Sequence, residues 1–229
     1  GVCEAAFLGL LQGLEVNEAD PNTGMSPLMR AAEDAQVQLC NLLLAQRADA
    51  DRVSIGGISA IGLALGGTCG RCMLLSSSEW CSCPRAAVAK SLIQHTTVGL
   101  AEAFASTVRM SLQDSAYLPL LKTFVERSLP VDCEIRGPDS RRGTALSVAL
   151  ERRVMPVEAP LRNQSLVVST LLSLRADPNR PGPYVAWDGN AIPGRSLATQ
   201  TSQRDLVLFA ASNACGLETL ALLDVEYEV

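Results

Sequence analysis

Aromatic side chains are scarce in this chain of 229 residues, at 4% of the total. A core without many rings must be filled by Leu, Ala and Val. Small and branched aliphatics in that number suit closely stacked helices better than an aromatic-centred β-sandwich. Lysine is nearly missing too: the nineteen basic residues include two lysines, Lys90 and Lys122, and the rest are arginine. Arginine favours bidentate carboxylate contacts and interfaces, although codon bias alone yields the same composition. There is no basic excess. The formal net charge is −5, which gives no footing for nucleic acid. No apolar run reaches the roughly 18 residues that would span a bilayer as a helix.

Catalytic signatures are missing as well. The single histidine, His95, falls at the end of a predicted helix, where a cation would suit the helix dipole. It has no carboxylate or nucleophile motif around it. No nucleophile elbow, phosphate-binding glycine loop, paired-histidine zinc motif or calcium loop occurs, so a non-catalytic protein without a cofactor is expected. Gly1 is not a start methionine. An intracellular setting is expected, with an organelle an option if a targeting segment was removed.

Eight cysteines are too few for a disulfide scaffold. Cys3, Cys40, Cys133 and Cys215 are scattered, and Cys40 sits on an apolar helical face as a small hydrophobe. Cys69, Cys72, Cys81 and Cys83 form C-x2-C-x8-C-x-C. Four thiolates there could hold a structural zinc. A disulfide within the segment and free thiols are the alternatives, since the C-x-C half is tight for tetrahedral coordination. A redox-active C-x-x-C would want a strand-to-helix setting that the sequence does not supply.

What the chain does have is repetition. Leu166–Asn179 (LVVSTLLSLRADPN) matches Gln38–Asp51 (QLCNLLLAQRADAD), with Leu171/Leu172 on Leu43/Leu44 and Arg-Ala-Asp on Arg-Ala-Asp. The paired apolar slots return at Phe124/Val125, Leu92/Ile93 and Leu10/Leu11. A preceding helix repeats in GMSPLMRAA (24–32), GISAIGLAL (57–65) and GTALSVAL (143–150), and a last, looser copy spans 208–223. Pro27 suits a first helical turn and Ser26 can cap it. Ala31 and Ala32 keep that helix thin, the leucines fill the layer beyond, and Asp49 and Asp177 fall where turns to the next unit are made.

This pattern resembles the ankyrin repeat, whose consensus runs G-x-T-P-L-H-x-A-A, a turn, a helix ending L-L, then G-A-D-x-N. Residues 26–51 carry it without a gap. The resemblance implies an all-α solenoid of stacked helix pairs with irregular hairpin loops and insertions. It would form one domain over 1–229: a half-repeat at 1–22 and repeats at about 23–55, 56–97, 98–141, 142–188 and 189–229. The family's first-helix histidine is replaced by Met29, Gly62 and Ser147, so a less regular and less stable array is expected. Gly62 within a helix costs up to ~1 kcal/mol against Ala.

Four stretches interrupt the repeat: 66–84, 99–116, 153–162 and 180–200. The second fits a longer amphipathic helix through Leu100, Ala103, Phe104, Val108 and Leu112. Insertions in repeat proteins emerge at the surface and often carry partner contacts. Trp80, Tyr184 and Trp187 lie in them, either as interface anchors or as covers for the array's own apolar edge. The basic run at 136–142 would occupy a hairpin tip and suits an acidic partner, or else is a solvated loop. The expected function is protein binding, with Arg136, Arg141 and Arg142, Tyr184 and Trp187, and Met29, Arg30 and Glu33 of the first helix as the contacts. One alternative is a structural accessory subunit held in a large assembly. Another is a zinc- or redox-sensing module centred on Cys69–Cys83.

Overall fold

A computed structural model describes residues 15–66, 84–136, 142–150 and 163–177. The chain divides into two compact units, residues 1–99 and 100–229.

The first unit opens with α1, Pro27–Glu33. The Ser26 hydroxyl accepts the Met29 N–H at 3.3 Å and Pro27 fills the first turn, as the Ser-Pro pair predicts. The helix ends in a Schellman turn. Ala35 takes φ 56°, the Ala35 N–H reaches the Ala32 carbonyl at 3.2 Å, and the Gln36 N–H reaches the Ala31 carbonyl at 2.9 Å. Helix α2, Val37–Ala45, follows and buries Cys40, Leu43 and Leu44. The second pair is α3, Ala60–Leu65, capped by Ser59, and α4, Arg85–His95. Helix α1 packs against α3 and α2 against α4, so first helices form one layer and second helices another. Ala31, Ala32, Ala60 and Ala64 are buried, which is why the first-helix layer can be this close.

The second unit repeats the plan with a longer opening. Helix α5, Leu100–Gln113, buries Ala103, Phe104, Val108 and Leu112, the stripe expected from the sequence. It stands in place of a short first helix: its 14 residues do the work of the seven in α1. A 3-10 turn at Ser115–Tyr117 leads into α6, Leu118–Glu126. The rings of Phe104 and Phe124 meet edge-on at 5.5 Å between α5 and α6. Strands β1, Ile135–Arg136, and β2, Arg142–Gly143, form a short antiparallel ladder before α7, Ala145–Leu150, and α8, Gln164–Ser173. Helix α7 packs on α5 and α8 on α6. Among the described residues the fold class is all-α, built of repeated helix pairs, with strand pairing confined to the hairpins.

Candidate partner-binding surface

The second helix of three pairs closes in the same way. Arg47, Ser128 and Arg175 follow α2, α6 and α8 with φ of 62°, 66° and 68°. In each case the next residue's N–H turns back to a carbonyl inside the helix: Ala48 to Leu43, Leu129 to Phe124, Ala176 to Leu171. The chain is thereby aimed out of the helix layers into a layer of turns.

Side-chain oxygens then join successive turns. Asn17 Oδ1 accepts the Asp49 N–H at 2.8 Å, and Arg52 donates to the Asn17 carbonyl at 2.8 Å. Asp51 Oδ1 accepts the Thr97 N–H at 2.7 Å and the Val98 N–H at 3.1 Å, and the Thr97 hydroxyl donates to Oδ2. In the second unit both Asp132 oxygens accept the Asp177 N–H at 3.1 Å. Asp49 and Asp177, expected just past helix ends, are thus the points that the preceding turns hold.

A hairpin rises from this layer at residues 53–59. Val53 bridges Ser59, the Ser54 N–H reaches the Ile58 carbonyl at 3.0 Å, and Gly57 with φ 74° makes the bend. The Ile55 N–H donates to the Thr23 carbonyl at 3.1 Å, fastening the hairpin to the preceding turn. Gly24 is needed at that contact. It takes φ 69°, and a Cβ there would stand 2.8 Å from the Ile55 nitrogen. Nearby, the Asn22 N–H at 2.8 Å holds the Asp20 carboxyl below its usual value.

The hairpin points apolar groups at solvent. Ile55 is 73% exposed, Val53 52% and Ile58 47%, and Val98 on the adjoining turn is 63% exposed. The next turn, 96–99, runs straight into α5 and raises no hairpin of its own. The sequence reading passed over these residues. The Gly56-Gly57 pair between Val/Ile runs was the signal that could have found them.

The predicted contact residues fare unequally. Met29 is 0% exposed and is corrected here to a core residue: at the position of the missing histidine it points into the α1 packing layer. Arg30 and Glu33 lie at the surface of α1, but face each other at 3.2 Å, with Asp20 4.0 Å from Arg30. Arg136 and Arg142 pair through their backbones in β1 and β2; the residues between them lie outside the described ones. Arg141, Tyr184, Trp187, Trp80 and the four cysteines Cys69, Cys72, Cys81 and Cys83 lie outside the described residues. So do the half-repeat helix at 7–14 and the last copy at 208–223. Among the described residues no group of three metal-ligating side chains gathers, and no helix is long and apolar enough to cross a membrane.

No protein-family model matches the chain, and no curated protein sequence does. Among solved structures, the human ASB11 ankyrin repeat domain is similar, at 17% identity and a TM-score of 0.43, over 90% of this chain and 92% of that one. The fold assignment rests on the repeated helix pairs, their Schellman turns and the ties between turns.

Proposed function

We propose that the chain is a non-catalytic protein-binding module that presents hairpins and first-helix surfaces on its packed helix pairs. The observation that carries this is the cluster Val53, Ile55 and Ile58, exposed on a hairpin that the Ile55 N–H fastens to the turn before it. Exposed apolar side chains on a rigid support lose little conformational entropy when a partner covers them. The basic run of Arg136, Arg141 and Arg142, and Tyr184 and Trp187, are proposed as further contacts. Co-purification from the native source, read by mass spectrometry, tests the proposal. A discrete set of proteins should be recovered with the natural chain and lost with Ile55→Ser/Ile58→Ser. Recovery of the same set with both chains contradicts the assignment of this hairpin.

A second function, a structural subunit held permanently in a larger assembly, is favoured by backbone strain. Among the described residues, four non-glycine residues, Ala35, Arg47, Ser128 and Arg175, occupy the left-handed region that glycine takes at low cost. A chain destabilised by such strain is stabilised by mass action when partners bind its folded state. Sedimentation and unfolding of the isolated chain separate the two: a soluble monomer that unfolds cooperatively supports the module, and insolubility without partners supports the subunit.

A further inference from the structure

The partner's chemistry can be narrowed from the charge around the exposed hairpin, granted the protein-binding function proposed above. The turns tied to the 53–59 hairpin carry Glu15, Glu18, Asp20, Asp49 and Asp51. Their cations are Arg47 and Arg52, and the Arg52 guanidinium donates to the Asn17 carbonyl. Arg30, on the adjacent helix, stands beside Glu33 and Asp20. Glu15, Glu18 and Asp49 are exposed, and none of them forms an ion pair among the described residues. The turns joined to the apolar tip therefore carry more negative than positive charge. Rim charges steer encounter and reject like-charged partners, while a buried apolar contact supplies the hold.

We infer that this hairpin docks a basic protein segment whose apolar side chains cover Val53, Ile55 and Ile58 while its lysines or arginines face Glu15, Glu18 and Asp49. This is the opposite polarity from the partner that the basic run at 136–142 would suit.

The test uses the full chain and three labelled synthetic peptides in fluorescence anisotropy: alternating Leu-Lys, alternating Leu-Glu, and alternating Ser-Lys. The Leu-Lys peptide should bind, and the other two at least about tenfold more weakly. Ile55→Ser should weaken Leu-Lys binding about tenfold or more. The side chain is exposed and its structural bond comes from the backbone N–H, so the fold should survive. Glu18→Gln/Asp49→Asn should weaken binding several-fold and flatten its salt dependence. The Asp49→Asn amide oxygen can still accept the Asp51 N–H that the carboxylate now holds at 3.0 Å. Equal binding of Leu-Glu and Leu-Lys, both lost with Ile55→Ser, overturns the charge assignment and leaves protein binding standing. No binding of Leu-Lys, or binding indifferent to Ile55→Ser, overturns the docking site itself.

Discussion

Arg85 donates through Nη2 to the Glu33 carbonyl at 2.9 Å and through Nη1 to the Leu63 carbonyl at 2.9 Å, with Ala64 at 3.4 Å. It is 3% exposed. One guanidinium at the start of α4 thus serves the last turns of both α1 and α3, where carbonyls lack helical partners and the dipole favours a cation. Arg85→Ala should lower the unfolding free energy by about 1–3 kcal/mol in urea titration, because it strands carbonyls that are partly or wholly shielded from water. Arg85→Lys should recover only part, since a single ammonium cannot fork between two helices. Nothing in the local sequence announces this role: Arg85 follows the 66–84 insertion and reads as one more surface arginine. Cys40 was more legible. Its place on the apolar face of α2 predicted burial, and burial pushes its thiol from 9.0 up to about 11. The folded state therefore keeps a proton that the unfolded chain gives up. Stability from this group is intact below pH 9, then falls by up to about 1.4 kcal/mol per pH unit until about 11. At neutral pH, iodoacetamide labelling of Cys40, followed by peptide mass spectrometry, should be negligible in the native chain and rapid in denaturant.

At the scale of single elements, helix starts were readable and helix ends were not. Ser26 with Pro27, and Ser59, cap as their types predict. Thr144 does more. Its N–H donates to the Ser147 hydroxyl at 2.9 Å, and that hydroxyl donates back to the Thr144 carbonyl at 2.8 Å. A serine in the histidine's place thus ties the hairpin to α7, a compensation the expectation of weaker repeats had not included. The ends were hidden because the left-handed positions carry Ala35, Arg47, Ser128 and Arg175 instead of the glycine that marks such turns. Arg47→Gly and Arg175→Gly should each raise stability by about 0.5–1 kcal/mol, seen as a higher urea midpoint with unchanged slope. Gly24→Ala should do the reverse by about 1–3 kcal/mol, as its φ of 69° and its 2.8 Å approach to the Ile55 nitrogen leave no room for a methyl group. Gly62 is a subtler case. The glycine in α3 does cost helix propensity, but an added Cβ would press the Ile58 side chain at 3.3 Å, so Gly62→Ala offers less than the full gain.

Across the molecule, the repetition of helix pairs was legible because each unit must bury the same leucine-and-alanine faces, and periodicity records that need directly. The site was less so. The helical period put Arg30 and Glu33 at the surface of α1 but not Met29, which is buried where the repeat pattern has a polar residue; loop side chains are not selected by a core, so the isoleucines of 53–59 went unnoticed. The same logic makes the ties between turns hard to read, since a terminal Asn or Asp looks like any turn residue. Yet those ties set the register of one helix pair on the next, and any binding surface depends on them. Hydrogen–deuterium exchange at single-residue resolution, on the natural chain and on Asp51→Ala, is the most direct measurement of that claim. The Thr97 and Val98 amides should be protected in the natural chain and lose protection in Asp51→Ala, while amides inside α1 keep theirs. Thr97 and Val98 exchanging in the natural chain as fast as free peptide would contradict it.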